Sequence, residues 1–349
     1  MMLMFACSSG TNRPRKNAVG VGMVTPESGG SARDPKTGAI PDVGGIIGFG
    51  QSHHQPAMIQ GGMPMPRLTA TFTLGSVQIA ALSDGAPERA LGGFFHGVEA
   101  AQWTQALGIT DPEHPVPFNF GTFLLRDGSR TVLVDSGLGV PGRIMNIPGG
   151  GELLVRLAEI GVAPGEIDTV VHTHLHGDHC GWNTTEEEGA PALTFPNAEV
   201  FVSRREFEYW TSAEVDGTER AAVARKHSLP VQAAGRLRLF DGEATIAPGI
   251  TAVPTPGHTP GHTSYMVASQ GEHLLITGDA AHHPVHFEHH DWIPGVDIDP
   301  ASSRESRAKL SALAVERDAL VTGGHFPILT LGRVRRVEKG YVWEYVERA

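Results

Sequence analysis

A chain of 349 residues with 40% hydrophobic and 19% charged content has room for one large globular domain or two small ones. Its net charge of −11, with no long Lys/Arg cluster, argues against a nucleic-acid surface and mildly against broad binding of anionic substrates. No run of 18 apolar residues is present, so no transmembrane helix is expected, and the two cysteines, Cys7 and Cys180, give no disulfide framework.

Residues 1–10 carry an apolar stretch of only about seven residues with no basic segment before it, short of a secretory signal. The expectation is a cytoplasmic protein. Export or a lipoprotein anchor is the lesser alternative, and a start at Met58, Met63 or Met65 is another. Residues 1–66, rich in Gly, Pro and Ser, read as a disordered or loosely packed N-terminal arm, and 67–349 as one domain. His53 and His54 lie in that arm and take no role. Segments 68–74 and 77–82, separated by Gly75-Ser76, read as a hairpin, and 86–112 as loop and helix. A second hairpin, 119–126 and 131–135, turns at Asp127-Gly128. A helix near 151–160 precedes the short apolar run Val170-Val171. Then come a strand at 200–202, a helix at 204–210, and strands near 236–240, 250–253, 264–268 and 273–277. Asp299-Pro300-Ala301-Ser302-Ser303-Arg304-Glu305 opens a helix with a capping box, running to about Glu316. A hairpin of 334–337 and 341–346 closes the chain, and no internal repeat is visible. Two groups of strands, each accompanied by helices, suit two packed sheets flanked by helices.

The segment Thr173-His174-Leu175-His176-Gly177-Asp178-His179 packs three imidazoles and one carboxylate into six residues. These are ligands that a borderline metal such as zinc prefers. The i, i+2 spacing puts His174 and His176 on one side of an extended segment, and a turn at Gly177 can bring Asp178 and His179 to a neighbouring position. The spacing suits two metals sharing one loop better than one metal with four ligands. A His-rich surface loop holding nothing is the plain alternative. Three later segments weigh against it: Thr255-Pro256-Gly257-His258 through His262, Leu274 to Asp279, and Ala319 to His325. Each reads as a buried strand delivering a metal-type ligand into a Gly-containing turn.

These segments, in this order, resemble the metallo-β-lactamase superfamily. Its H-x-H-x-D-H signature matches His174, His176, Asp178 and His179, and its later ligand positions match His258, Asp279 and His325. Thr131-Val132-Leu133-Val134-Asp135-Ser136-Gly137 resembles the family's early strand, whose structural Asp supports the metal loop. The resemblance spans roughly residues 68 to 346. It implies an α/β (α+β) fold, a four-layer αββα sandwich of two mixed sheets flanked by helices. It also implies that His174, His176 and His258 hold a first metal, that Asp178, His179 and His325 hold a second, and that Asp279 bridges both. The cofactor implied is two zinc ions per chain, with Mn, Fe or Co also suited to His and Asp. Cations about 4 Å apart need a shared anion. By resemblance a bridging hydroxide attacks a carbonyl carbon or a phosphorus, the second metal stabilises the oxyanion, and Asp178 passes a proton to the leaving oxygen. His172 and His262 are expected outside the ligand set, and Cys180 as a small buried hydrophobe under the loop.

His282 and His283 lie three and four residues past Asp279. In acyl-homoserine-lactone lactonases a Tyr commonly holds the place of His282. A His there would donate a hydrogen bond to a substrate carbonyl or act as general acid; the alternative is a solvent-facing loop residue. Asp279 separates the chain from class B β-lactamases. The 24 residues after His325 are too few for the helical domain of glyoxalase II. No flavodoxin domain or Glu in the motif points to flavodiiron oxidoreductases, and no basic surface to the nucleases. What remains resembles the lactonase and methyl parathion hydrolase-like branch, on Ala81 to Gly85, His174 to Thr184 and Gly278 to Pro284. Phe94, Phe95, Phe118, Phe120, Trp182, Phe287 and Trp292 can line an apolar pocket or serve as ordinary core. The function implied is a metal-dependent hydrolase acting on a small neutral ester, above all a lactone such as an acyl-homoserine lactone, as in quorum quenching. A phosphotriester (organophosphate) hydrolase is the close alternative, and a mononuclear iron persulfide dioxygenase the alternative of another class. The expected partner is a small-molecule substrate, with no nucleic acid and no membrane; a homodimer is suggested by the resemblance alone.

Overall fold

A computed structural model describes residues 68–346, apart from 96, 109, 112, 188, 328 and 329. The arm expected over 1–66 lies outside the described residues. The first of two seven-stranded sheets runs in chain order: β1 (Thr69–Leu74), β2 (Val77–Ser83), β3 (Gly121–Arg126), β4 (Thr131–Val134), β5 (Thr169–Val171), β6 (Glu199–Ser203) and β7 (Leu237–Phe240). β1 to β4 are antiparallel, joined in pairs by short turns. At Gly75, φ is +57° and a side chain would sit 2.5 Å from the Ser269 carbonyl oxygen, so the turn requires glycine. β4 to β7 are parallel, and a parallel neighbour demands a long crossover. Helix α1 (Leu153–Glu159) lies between β4 and β5, and helices α2 (Arg204–Thr211) and α3 (Glu219–Ala233) between β6 and β7.

The second sheet is also in chain order: β8 (Ala244–Ala247), β9 (Ile250–Pro254), β10 (Thr263–Ser269), β11 (Glu272–Ile276), β12 (Leu320–Thr322), β13 (Gly332–Val337) and β14 (Gly340–Tyr345). Its one parallel pair, β11 with β12, is bridged by helix α4 (Pro300–Glu316). Asp299 caps α4, accepting from the backbone N–H of Ala301 and Ser302, and the Ser302 hydroxyl donates back to it at 2.7 Å.

Strand alternation sorts side chains into three apolar layers. Ile79, Ala81, Val132, Val134 and Val171 meet Tyr265, Val267, Leu274, Ile276 and Leu320 between the sheets. Their neighbours Ala80, Leu82, Leu133 and Val170 point the other way, onto Leu153, Leu157, Phe207, Trp210 and Ala224 of α1 to α3. On the far side of the second sheet, Leu275 and Val321 pack with Leu310 and Ala314 of α4. The order is therefore helix, sheet, sheet, helix, which is the four-layer αββα sandwich. Burial on both faces explains why the central strands read as unbroken apolar runs.

Sequence reading passed over several elements: β8, a hairpin of Thr184–Glu187 with Ala190–Leu193, a second strand pair of Glu88–Ala90 with Pro115–Pro117, a short helix Val140–Ile144, and helix α3. The buried face of α3 is Ala221, Ala224, His227, Ser228 and Val231, with Pro230 inside the helix. Small and polar residues on the inner face leave no apolar stripe to read. Among the described residues, no helix is long and apolar enough to cross a membrane.

Candidate metal centre

The predicted ligands all leave the ends of strands. His174 and His176 follow β5 in extended backbone, and Gly177–Cys180 turns into a single helical turn that carries Asp178 and His179. His258 follows β9, Asp279 follows β11, and His325 follows β12. Asp135, just past β4, holds the motif loop in place with a positive φ of 59°. Its carboxylate accepts the backbone N–H and the hydroxyl of Thr173, each at 2.8 Å, and stands 2.8 Å from His179 Nδ1. Burial opposes its charge, but His179 and His172 outweigh that and hold its carboxyl well below the usual range.

The ligand atoms converge into overlapping groups. His174, His176, His258 and Asp279 form one, with His174 Nε2 and His258 Nε2 each 2.9 Å from His176 Nδ1. Asp178, His179 and His325 form another, the two Nε2 atoms 3.3 Å apart and the Asp178 carboxylate 3.7 and 3.5 Å from them. Asp279 stands between: Oδ2 is 3.2 Å from His258 and 3.1 Å from His325, and Oδ1 is 3.2 Å from His179. A third group joins Asp279 and His325 to His282, whose Nε2 is 3.2 Å from Asp279 Oδ2.

Hydrogen bonding fixes which nitrogen faces inward. The Thr173 hydroxyl spends its one proton on Asp135, so it accepts from His174 Nδ1 at 3.0 Å. His179 Nδ1 donates to Asp135, His258 Nδ1 to Asp297, and His325 Nδ1 to the Asn119 carbonyl at 2.7 Å. Four Nε2 atoms thus point into one buried space beside an Asp279 Oδ1 that has no hydrogen-bond partner. Burial and neighbouring imidazoles push His174 and His176 well below the ordinary histidine range, which keeps them neutral. Burial opposes charge on His179 and His325 as well, but there Asp279 and its fellow carboxylates prevail and raise both. Converging imidazoles around a shared carboxylate, with an orphaned buried acceptor, fit one or two divalent cations, whose binding would displace those protons.

The other histidines take different places. His262 accepts the Asp279 backbone N–H at 2.9 Å through Nε2 and pairs with the Thr255 hydroxyl through Nδ1, so it braces the ligand loop with both nitrogens. His172 reaches Asn183 Oδ1 at 2.9 Å. Cys180 is buried with Sγ toward the Leu175 carbonyl. His283 accepts the Val285 N–H and caps the next turn. His282 is not a solvent-facing loop residue: it is 2% exposed and neither ring nitrogen has a hydrogen-bond partner. Burial lowers its pKa to about 4, against the pull of Asp279.

Of the seven aromatics named from sequence, three face the centre. Phe118 stacks on His325 at 4.4 Å, Phe120 meets its edge at 5.5 Å, and Phe94 meets His282 at 5.0 Å. Trp182 and Phe287 belong to the layer cores, and Phe95 and Trp292 to a separate cluster around Trp103.

Apart from Asp135, sequence reading missed the supports. Buried Glu206, on α2, accepts the Leu175 N–H at 3.0 Å, the Trp210 indole at 2.6 Å, the Thr259 hydroxyl at 2.6 Å and the Gly261 N–H at 3.1 Å. Asp297 and Arg307 stand behind His258. Nothing local marks these residues, because an acid or an arginine on a helix or in a loop is ordinarily solvated.

Comparison with known proteins bears on the family and the fold. The sequence profile of the metallo-β-lactamase superfamily matches residues 122–325. An N-acyl homoserine lactonase of Bacillus thuringiensis is 26% identical over 223 residues, 58% of this chain and 79% of that protein. The N-acyl homoserine lactonase AttM of Agrobacterium fabrum is 31% identical over 179 residues, 49% of this chain and 63% of its own length. Among solved structures, the hydrolase AbOPH of the β-lactamase superfamily superposes with a TM-score of 0.72 at 27% identity, over 82% of this chain and all of the other. AidC, a dizinc quorum-quenching lactonase solved with N-hexanoyl-L-homoserine, gives 0.69 at 24% identity over 80% of this chain and 97% of its own; at that identity the likeness speaks for the fold.

Proposed function

The chain belongs to the metallo-β-lactamase superfamily and is a metal-dependent hydrolase, and from that premise we propose that it opens lactones of the acyl-homoserine type at a dinuclear centre. The observation that carries this reading is Asp279. Its two oxygens reach into both ligand groups beneath a wall of Phe94, Phe118 and Phe120. The complete second group, Asp178, His179 and His325, supports two metals over the single iron of a persulfide dioxygenase.

His174, His176 and His258 would hold one cation, Asp178, His179 and His325 the other, with Asp279 shared. Bound there, such a pair supplies an acidified water and a polarised ester carbonyl. The chain's own groups do the rest. Asp178, whose side chain is one-quarter exposed, stands at the open side, takes the proton of the attacking water and returns it to the ring oxygen as the C–O bond breaks. His282, buried and held neutral by that burial, with Nε2 3.2 Å from Asp279 Oδ2, donates an N–H to the carbonyl oxygen as it gains charge. The three phenylalanines exclude water and carry the acyl chain.

The test is proton release from a lactone panel by zinc-loaded protein, with bound metal counted. Two zinc ions per chain and turnover that falls about 100-fold or more in Asp279→Asn are expected. No turnover on any lactone sinks the substrate assignment and moves phosphotriesters forward; a single metal ion per chain sinks the dinuclear centre.

A further inference from the structure

Behind His258 lies a pair of charges that the chemistry above does not use. His258 Nδ1 donates to Asp297 Oδ1 at 3.0 Å, and Arg307 Nη2 donates to Asp297 Oδ2 at 2.6 Å. The side chains of Asp297 and Arg307 are 0% and 1% exposed. Arg307 spends its other donors on backbone: Nε on the Ala280 carbonyl at 2.9 Å, Nη1 on those of His290 and Trp292, each at 3.1 Å. One guanidinium therefore ties the support of His258 to the residue next to Asp279. The same segment straps the His258 loop, since Ile298 N–H donates to the His258 carbonyl and Asp299 N–H to that of Gly257. From α4 the Ser306 hydroxyl donates to the Pro256 carbonyl at 2.7 Å.

We propose that Asp297 and Arg307 are positioning residues that set the tautomer, orientation and donor strength of His258 and its distance from Asp279, and so govern how tightly the first metal position is held. The inference rests on the dinuclear reading above. Both neighbours of Asp297 are donors, so only an acceptor at each oxygen satisfies them. With Nδ1–H committed to the carboxylate, the Nε2 lone pair faces inward, and the adjacent anion makes it a better donor. An amide cannot replace it: Asn offers one oxygen, and its NH2 must face either Arg307 or the His258 N–H. The second group has a parallel device in Asp135 behind His179, and that device is independent of Arg307.

The experiment is a zinc titration of the full chain against a chromophoric chelator, for wild type, Asp297→Asn and Arg307→Lys, with thermal melts of the metal-free proteins alongside. In Asp297→Asn, one zinc equivalent should weaken by about 10- to 100-fold while the other keeps its affinity, and kcat should return at saturating zinc. Arg307→Lys, which leaves the His258–Asp297 bond in place, should weaken the same equivalent by less, and it carries the test if the melts show Asp297→Asn unfolded. Two unchanged equivalents, or two that weaken in parallel, overturn the proposal. A wild-type chain holding fewer than two equivalents sinks the dinuclear reading instead; the strut is then judged on the single equivalent, and unchanged affinity in Asp297→Asn overturns it.

Discussion

The Glu206 carboxylate accepts the Thr259 hydroxyl at 2.6 Å, joining helix α2 to the loop that carries His258. Its other oxygen accepts the N–H of Leu175, the residue between His174 and His176. Two ligand loops that are far apart in the chain are thus clamped by one fully buried acid. Glu206→Ala would leave four buried donors without an acceptor, each costing about 1–3 kcal/mol and not additively. A loss of at least about 3 kcal/mol in guanidinium unfolding, with weakened metal retention, is expected. A change under about 1 kcal/mol would show that the loops hold themselves.

Asp84 should make the fold more stable in mild acid. Its carboxylate accepts Leu153 N–H at 2.6 Å, Gly139 N–H at 3.1 Å and the Trp182 indole at 3.0 Å. Burial nonetheless raises its pKa from 3.8 to about 7. The folded chain holds this proton between pH 3.8 and about 7, where the unfolded chain has released it. The group therefore adds stability as pH falls through about 7, and adds nothing further below 3.8. Unfolding free energies of the metal-free wild type and Asp84→Asn, measured across that range, should diverge toward acid in favour of the wild type. Identical pH slopes would remove the assignment.

His282 is buried against the centre, its Nε2 3.2 Å from Asp279 Oδ2 and its Nδ1 without a hydrogen-bond partner. His282→Phe should lower kcat on lactones by about 100-fold while leaving two metals bound, the cost of one donor to a developing oxyanion. His282→Gln, which keeps an N–H, should recover part of it. Loss of a metal in His282→Phe would make the residue a ligand, as its closeness to Asp279 and His325 allows.

Phe118 stacks on His325 and meets Phe94 at 5.4 Å and Phe120 at 5.7 Å. If this wall carries the acyl chain, Phe118→Ala should reduce kcat/KM for long-chain lactones by about tenfold and for short ones much less. Equal losses across chain lengths would assign the ring to bracing His325 instead.

The motif loop was legible because its information is local. His174, His176, Asp178 and His179 sit within one strand end and one turn, where spacing alone sets direction. The central strands were legible because two buried faces demand apolar residues at every position. Helix α3 was not, since its inner face is built of alanine, serine and histidine with a single valine.

What the amino-acid sequence determined by itself is the set of candidate ligand loops, the order in which they arrive and the strands that deliver them. What only the tertiary structure decided is which polar residues are buried and what they hold. Glu206, Asp297 and Arg307 look like ordinary surface charges until the fold brings their partners, and His282 like a loop residue until Phe94 and Asp279 close around it. A buried charge is stable only where donors and acceptors from distant segments meet it, and no local pattern records that meeting.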